Sequence, residues 1–297
     1  MAKVQNFPKQ YSEVFSRSNY PEISYLCTMF KKRFFILYIA VLLIVSGCGK
    51  QHKLLKSSDN DLKYESAIAY FNKKDYYRAL QLFDQLGSIY RGTARGERIN
   101  YYQAYCFYEQ ADYLLAGHHF QRLAKNYPKS KDAEEALYMS AFCKYKLSPR
   151  YSLDQTNTYD ALSEFQTFLN LYPNTSRKSE CNKYIDILRA KLAKKDFETA
   201  KLYFKMDEFE SAVVCFNNII KDYPNSVYVE DASYYIVRSY YRFAVNSVHD
   251  KKLERFQKAL DSYNDFMSYF PDSQYKKEID KMNASTLENI EKLKNKN

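Results

Sequence analysis

Residues 161–175 read ALSEFQTFLNLYPNT, and this stretch decides the fold because its spacing returns along the chain. Ala161 is followed four residues later by Phe165 and eight residues after that by Pro173. The spacing of a small residue, an aromatic residue and usually a proline occurs five times, at Ala79-Phe83-Arg91, Ala116-Phe120-Pro128, Ala161-Phe165-Pro173, Ala212-Phe216-Pro224 and Ala259-Tyr263-Pro271. Only the first copy lacks its proline. The chain is therefore predicted to be an array of one repeated unit.

Each copy has the spacing of a helix that packs closely on another helix. Residues four apart lie on one face of a helix, and an alanine lets a second helix approach. Proline has no amide hydrogen and disfavours helix in the residue before it. One helix is therefore predicted to end at each of Tyr127-Pro128, Tyr172-Pro173, Tyr223-Pro224 and Phe270-Pro271. A polar pair that ends in Ser or Thr follows each proline, and another helix can begin there.

A partner helix with its own small residue precedes each of these helices. The two small residues are twelve apart in three units and twenty apart in the other two, which are Ala141 to Ala161 and Ser239 to Ala259. The eight extra residues are predicted to fall in Ser148–Gln155 and around Asn246–Arg255. Residues 177–205 exceed the usual connection and are predicted to form one extended helix.

Two helices per unit, with a closing proline, resemble the tetratricopeptide repeat. The resemblance covers roughly residues 61–273. It implies an all-α fold, a right-handed superhelical solenoid of five tetratricopeptide-like helix hairpins with a C-terminal capping helix. The cap and tail are predicted at residues 274–297, with Tyr275, Ile279, Met282 and Ile290 facing inward. Such arrays usually bind extended peptides or the face of another domain.

The N-terminal region has the pattern of a lipoprotein signal. Lys31-Lys32-Arg33 precedes an apolar run from Phe34 to Val45, and Ser46-Gly47-Cys48 follows. Val45-Ser46-Gly47-Cys48 resembles the bacterial lipobox, which implies acylation of Cys48. Residues 29–47 are then the signal peptide, residues 48–60 a polar tether, and residues 1–28 a non-native leader with the true start at Met29. A hydrophobic helix that merely ends at a cysteine is the alternative.

Composition excludes several classes of function. The net charge of +10 falls to +6 without residues 1–47, which carry six basic and two acidic residues, so nucleic acid is not an expected partner. Binding to acidic lipid head groups stays open. With six glycines the chain has no phosphate-binding loop, and its four histidines lack the i, i+4 spacing of a zinc site. We expect no enzyme, no metal and no cofactor.

Five repeats on a lipoprotein of this length resemble the BamD family of outer-membrane β-barrel assembly lipoproteins, and Ser148–Gln155 strengthens the match to the Bacteroides-group type. The resemblance implies two partners, unfolded outer-membrane protein precursors and a POTRA domain of the barrel subunit BamA, which would dock on about residues 200–273. It also allows accessory lipoproteins. The residue after Cys48 is not aspartate and no acidic cluster follows, so family rules imply lipid anchoring in the outer membrane at its periplasmic face.

The aromatic content, 31 Tyr and 20 Phe without Trp, supplies the candidate contacts. Most rings are expected to pack between helices, but the helix around residue 105 carries more tyrosines than one buried stripe requires. The candidate substrate contacts are Tyr101, Tyr102, Tyr105 and Tyr108, and a second patch comprises Arg150, Tyr151 and Asp154. That second segment has an equal alternative as a turn that packs on its own hairpin.

Two rival functions are alternatives to this interpretation. The closest rival is a periplasmic tetratricopeptide scaffold that coordinates envelope constriction or peptidoglycan synthesis; those proteins are usually soluble with an N-terminal coiled coil, whereas this chain has Cys48 and no heptads. A SusD-like glycan-binding lipoprotein is disfavoured because the chain has no Trp.

Buried free thiols are expected at Cys106, Cys143, Cys181 and Cys215, although an oxidising periplasm would allow pairing.

Overall fold

The computed structural model describes residues 51–295, all of whose regular elements are α-helices. The predicted leader, the predicted signal peptide and Cys48 lie outside the described residues. Residues 51–55 are helical, and eleven longer helices follow: α1 (Asn60–Asn72), α2 (Tyr76–Ile89), α3 (Ala94–Glu109), α4 (Tyr113–Asn126), α5 (Ala133–Leu147), α6 (Thr156–Leu171), α7 (Lys178–Lys205), α8 (Phe209–Asp222), α9 (Val229–Val245), α10 (His249–Tyr269) and α11 (Lys276–Lys294). No helix among the described residues is long and apolar enough to cross a bilayer.

The described chain forms two compact units, one up to Leu86 and one from Gly87 onward. In the second unit each helix packs on the next from α3 to α11. The expected all-helical array of hairpins is confirmed. The five partner positions predicted from spacing, Ala67, Ala104, Ala141, Ala200 and Ser239, are all fully buried.

The residues that define the repeat make the core. Phe83, Phe120, Phe165 and Phe216 are fully buried, whereas Tyr263, the fifth aromatic residue, is half-buried. Tyr263 keeps its hydroxyl near water, where it donates a hydrogen bond to Asp280 Oδ1 at 2.8 Å. Burying such rings supplies most of the stabilisation, because apolar area removed from water dominates the folding free energy.

The proline motifs end helices as predicted, and their hydroxyl residues have a role that spacing did not reveal. Each helix before a motif stops two residues before the proline. In three of the four proline motifs, the hydroxyl three residues after the aromatic residue donates to a glutamate in the first turn of the helix that opens the same hairpin. These pairs, each 2.6 Å apart, are Ser130 to Glu97, Thr175 to Glu134 and Ser273 to Glu230. The motif thus ties the closing turn of a hairpin to the first helix of that same hairpin.

Helix α7 belongs to two hydrophobic cores. Its first half contributes Cys181, Ile185 and Leu188 to the core built around Phe120 and Phe165. Its second half contributes Phe197, Ala200 and Phe204 to the core around Phe216. The predicted extended helix is therefore present at 28 residues. The helix is long because its first half covers one hairpin and its second half forms the first helix of the next hairpin.

The two long hairpins use their extra residues differently. Residues 148–155 form a loop between α5 and α6, whereas the extra residues of the fifth hairpin extend α10 to 21 residues. Arg255 lies on that extension and covers the ring of Phe243 at 3.6 Å from the centroid. It also donates to Ser247 Oγ at 2.6 Å. This second insertion is thereby folded against its own hairpin.

The predicted tether and the cysteines need partial correction. Residues 51–55 are helical, and Gln51 is buried and donates to Gln81 Oε1 at 3.2 Å, so the second half of residues 48–60 is partly folded on the first unit. All four described cysteines are free. Cys215 is only half-buried, unlike the other three. Burial raises the pKa of Cys143 to about 12 and that of Cys181 to about 11, which makes both thiols unreactive.

The C-terminal helix caps the array. Ile279, Thr286, Ile290 and Leu293 are buried on one face of α11, while Tyr275 and Met282 are half-buried. Tyr275 stacks on Tyr234 with ring centroids 3.9 Å apart and donates its hydroxyl to Asp231 Oδ1 at 2.6 Å. The side chains predicted to face inward therefore do so, and charged residues cover the outer face, as a solenoid end requires.

Candidate protein-interaction surface

A continuous row of half-buried aromatic rings crosses the first helices of three successive hairpins. We call it the aromatic ladder; it comprises Tyr101, Tyr105 and Tyr108 of α3, Phe142 and Tyr145 of α5, and Tyr184 of α7. The i, i+3, i+4, i+7 pattern places several rings on one face of each helix. Because equivalent faces of successive hairpins adjoin, the rings of one helix reach those of the next.

Ring contacts join the ladder from end to end. Within α3 the centroids of Tyr101 and Tyr105 are 4.7 Å apart, and those of Tyr105 and Tyr108 are 6.4 Å apart. Tyr108 reaches Phe142 at 6.4 Å, and Phe142 reaches Tyr184 at 5.3 Å. Packed rings of this kind form a stiff surface, since aromatic side chains lose little conformational freedom on contact with a ligand.

Cations and carboxylates border the ladder. Arg98 lies 4.7 Å over the Tyr101 ring and pairs with Asp132 at 2.9 Å. Arg177 pairs with Glu135, which also accepts the Tyr105 hydroxyl at 3.0 Å. The border therefore offers both charge signs beside apolar rings, an arrangement that suits an extended polypeptide better than a small polar substrate.

The four candidate tyrosines of α3 have different roles. Tyr105 packs edge-on against buried Phe120 at 5.0 Å, and burial followed by the charge of Glu135 raises its pKa. Tyr105 is therefore mainly a packing residue. Tyr102 lies beside the ladder and accepts a hydrogen bond from Arg98 Nη2 at 3.3 Å. The Tyr108 hydroxyl has no hydrogen-bond partner among the described residues, so it is available to a ligand.

The insert, residues 148–155, is held in place by α7 rather than by its own hairpin alone. Lys191 Nζ donates to Ser148 Oγ at 2.7 Å, Lys195 Nζ donates to the Leu153 carbonyl at 2.8 Å, and Lys194 lies 4.5 Å over the Tyr151 ring. Neither of the two sequence interpretations included α7 as a neighbour. The insert and the long helix, two separate anomalies of the sequence, form one structural element.

The second predicted patch is thus partly engaged. Arg150 is exposed, and Tyr151 is half-buried beneath Lys194. Exposed Asp154 accepts the Thr156 amide at 2.9 Å, and hydrogen bonding from the Thr156 hydroxyl first, then from this amide, lowers the pKa of Asp154. Lys191 follows Tyr184 by seven residues, or about 10 Å along the helix. The Ser148 amide donates to the Tyr145 carbonyl at 3.1 Å, so the insert begins beside the ladder, but no described ring contact joins Tyr151 to the ladder rings.

Gln155 is the centre of the insert. Its side chain is 3% exposed; its amide nitrogen donates to the carbonyls of Arg150 and Leu153, both at 3.0 Å, and its oxygen accepts from Thr158 Oγ1 at 2.8 Å. We expect Gln155→Ala to lower the free energy of unfolding by about 1.5 kcal/mol, because the Arg150 and Leu153 carbonyls lose a donor and the buried Thr158 hydroxyl loses its acceptor. Hydrogen exchange of residues 150–155 should accelerate, and urea unfolding gives the energy.

The matched control for this substitution is Gln166→Ala, on the exposed face of α6, whose side chain bonds only to Asn170. It should change stability by less than about 0.5 kcal/mol. Equal effects of the two substitutions would show that Gln155 does not organise the insert.

Sequence reasoning missed half of the ladder. Phe142 and Tyr145 share the i, i+3 spacing of one helix face, but they are absent from the predicted contacts, which comprise the four α3 tyrosines, Arg150, Tyr151 and Asp154. Tyr184 lies in the extended helix, outside any repeat signature, so no spacing identified it. Among the described residues, no three His, Cys, Asp or Glu side chains cluster as metal ligands would.

Comparison with known proteins assigns the family. A family model described as YfiO, outer membrane lipoprotein, matches residues 56–256, which is more than half of the chain. The chain belongs to the YfiO family of outer membrane lipoproteins. It is therefore related to proteins of the outer membrane, and its helical repeats are a protein-interaction fold. No curated protein matches the sequence.

Solved structures with helical repeats are also similar to this chain. A TPR repeats protein from Bacteroides fragilis is 14% identical with a TM-score of 0.38, covering 77% of this chain and 98% of that one. The TPR2AB domain of yeast Sti1 in complex with an HSP90 peptide is 13% identical with a TM-score of 0.37 and the same coverage. The human IFIT1 dimer is 15% identical with a TM-score of 0.27, covering 77% of this chain and 57% of that one.

Proposed function

We propose that the chain is the lipoprotein scaffold of the β-barrel assembly machinery in the outer membrane. It binds unfolded outer-membrane protein precursors, docks on the POTRA region of the barrel subunit, and so promotes folding and insertion. The observation that carries the proposal is the family membership over residues 56–256, joined with the aromatic ladder as a ready surface for polypeptide. The scaffold holds and transfers its client without covalent chemistry.

The aromatic ladder is the proposed precursor-binding surface. Terminal strands of unfolded barrels expose apolar side chains together with unpaired backbone amides and carbonyls. Tyrosine contacts both, since its ring is apolar and its hydroxyl donates and accepts hydrogen bonds. The Tyr108 and Tyr145 rings, half-buried and adjoining Phe142, therefore support this assignment best. Tyr101 and Tyr102, bordered by Arg98, extend the surface at one end.

The C-terminal hairpins supply the proposed docking surface for the POTRA domain. A groove of about 740 Å³ lies between α8, α9 and α10, with Ile220, Ile236 and Tyr240 among its apolar residues. Asp261 and Asp265 lie on its α10 side beside Lys258, whose charge is paired with Glu254 at 2.8 Å, and Tyr269 at its edge is 79% exposed. An apolar floor with an acidic side suits a domain surface that presents aliphatic and basic side chains.

The partner is tested by affinity purification of the full chain from outer membranes. A POTRA-bearing barrel protein recovered in stoichiometric amount is the expected result. Recovery of peptidoglycan synthases instead would favour the alternative, a periplasmic scaffold that coordinates envelope constriction or peptidoglycan synthesis. Accessory lipoproteins in the same complex would extend the proposal.

The precursor surface is tested by substitution. We expect the triple variant Tyr102→Ala, Tyr108→Ala and Tyr145→Ala to bind a barrel C-terminal peptide at least about tenfold more weakly, because ring contacts of this kind contribute roughly 0.5–1.5 kcal/mol each. Fluorescence anisotropy of a labelled peptide measures the change. Tyr105 is left intact, since its loss would disturb Phe120 and Glu135 rather than binding alone.

The control variant is Tyr159→Ala, which removes a tyrosine that is 56% exposed on α6. It should bind the peptide as the unmodified protein does. Unchanged affinity of the triple variant, with circular dichroism and thermal melting also unchanged, would remove the ladder from the precursor-binding surface.

A further inference from the structure

The first unit contains a groove that neither the repeats nor the proposed partners explain. It measures about 880 Å³ and lies between residues 52–57 and one face of α1. Leu62, Ser66, Ala69 and Lys73 recur at helical spacing along that face, so the groove follows the helix for about three turns. Leu62 is 51% exposed although it is a large aliphatic side chain.

The groove combines an apolar floor with a basic rim. Leu54, Leu62 and Tyr70 give the apolar part, and Lys53, Lys56 and Lys73 give three exposed ammonium groups. No carboxylate lines the groove, and no described carboxylate forms an ion pair with any of these lysines. The cations therefore remain available to an anionic ligand whose other part is apolar.

The carboxylates of the same segment do not line the groove. Asp59 accepts the Leu62 amide at 2.9 Å and so caps the start of α1. Asp61 lies in the first turn of α1, where a negative charge is favourable, and Glu65 lies outside the lining of the groove. The three lysines thus form a local excess of positive charge on one side of the unit.

The position of the groove in the chain indicates its ligand. Its first residue, His52, follows the predicted acylation site Cys48 by four residues, and an extended chain of that length spans at most about 14 Å. An acyl anchor at Cys48 would keep the groove at the head-group level of the bilayer. Phosphate and glycerol ester groups lie there, beside the ends of acyl chains.

We propose that this groove binds an anionic phospholipid of the membrane that holds the anchor. Lys53, Lys56 and Lys73 contact the head-group phosphate, and Leu54, Leu62 and Tyr70 contact the upper part of an acyl chain. A lipid anchor combined with a basic surface holds a protein more firmly and in a more defined orientation than an anchor alone. The groove would thereby fix the orientation of the first unit at the leaflet.

A single fluorescent reporter tests this assignment in the full, acylated chain. The sequence has no tryptophan, so Leu62→Trp places one indole in the groove. The protein is reconstituted in nanodiscs that contain phosphatidylglycerol or phosphatidylcholine with the same brominated acyl chains. We expect at least twofold stronger quenching by brominated phosphatidylglycerol, and a decrease of this preference at high salt.

Charge-matched variants distinguish the groove from general basicity. In the Leu62→Trp background, changing Lys53, Lys56 and Lys73 to Gln should abolish the preference for phosphatidylglycerol. Changing the exposed Lys276, Lys277 and Lys281 of α11 to Gln removes the same charge and should leave the preference intact. A reporter at Ile187→Trp on α7 should show no preference.

Three outcomes would overturn the proposal. Equal quenching by the two lipids would show that the head group is not recognised, and an unchanged preference in the groove variant would show that the lysines do not contact it. Loss of the preference on adding millimolar glycerol phosphate would indicate a site for a soluble phosphate instead. None of these measurements involves a protein partner, so their failure is separate from that of the assembly function.

Discussion

Gly96→Ala is expected to lower the free energy of unfolding by about 3 kcal/mol, the upper part of the range for overpacking. Gly96 lies in the first turn of α3, where its amide is capped by Thr93 Oγ1 at 3.1 Å. A Cβ atom at this position would lie 2.1 Å from the Tyr90 carbonyl oxygen. That oxygen belongs to the backbone and also accepts the Thr93 hydroxyl at 2.7 Å, so it cannot move without breaking the cap.

Gly87→Ala is the matched control for this prediction. The nearest atoms to a Cβ at Gly87 are side-chain atoms of Gln103 and Ile99, both 4.0 Å away, which is an ordinary contact distance. Gly87 also lies within α2, where alanine is favoured over glycine by roughly 0.5–1 kcal/mol. Urea unfolding followed by circular dichroism should therefore show opposite shifts. Equal stability of Gly96→Ala and the unmodified protein would contradict the geometry of this turn.

Acidification is expected to destabilise the protein partly through His119. The ring of His119 stacks on Phe107 at 4.8 Å, and Arg122 Nη2 lies 3.2 Å from His119 Nδ1. Arginine can only donate, so Nδ1 is the acceptor and carries no proton. Burial first, then repulsion by Arg122 and His118, lowers the pKa of His119 to about 4.

The sign of the effect follows from proton binding. The unfolded chain takes up the His119 proton near its ordinary pKa of 6.5, whereas the folded chain resists it until about pH 4. Stability is therefore present at neutral pH and decreases as the pH falls between these values. At about 1.4 kcal/mol per pKa unit the shift corresponds to at most about 3 kcal/mol, and partial exposure reduces this to about 2 kcal/mol.

His119→Phe keeps the stacked ring and removes the titration. Compared with the unmodified protein, this variant should lose about 2 kcal/mol less stability between pH 7 and pH 4 in urea unfolding experiments. His118→Phe, at an exposed neighbouring position, should retain most of the acid sensitivity, because burial of His119, the largest cause of its lowered pKa, is unchanged. A parallel decrease for all three proteins would assign the acid sensitivity to carboxylates elsewhere.

Much of the fold was predictable because its determinants are local. The alanine, aromatic residue and proline of each unit impose helix packing and helix ends within fifteen residues, so five copies identified the array. The second role of the motif was not predictable. The hydroxyl of Thr175 binds Glu134, 41 residues earlier, and only the repeat geometry brings the two together.

The interaction surface was less predictable because it depends on contacts between repeats. The clustered tyrosines predicted a contact surface on α3. Tyr184 joins the ladder only because α7 packs beside α5 in the folded chain. The hydrogen bonds from Lys191 and Lys195 to the insert likewise depend on where the long helix α7 lies in three dimensions. Sequence spacing reports which face of a helix is apolar; it does not report which half-buried rings of neighbouring repeats meet.

The continuity of α7 has a mechanical consequence. An α-helix of 28 residues is about 42 Å long, and this one is clamped by a separate core at each half. Relative bending between the ladder-bearing hairpins and the docking hairpins would have to break helical hydrogen bonds or open one of those cores. Under the proposed function, a precursor on the aromatic ladder and a POTRA domain on the C-terminal groove would thus be kept at a set spacing and angle. A rigid helix of this kind transmits a displacement of one end to the other end.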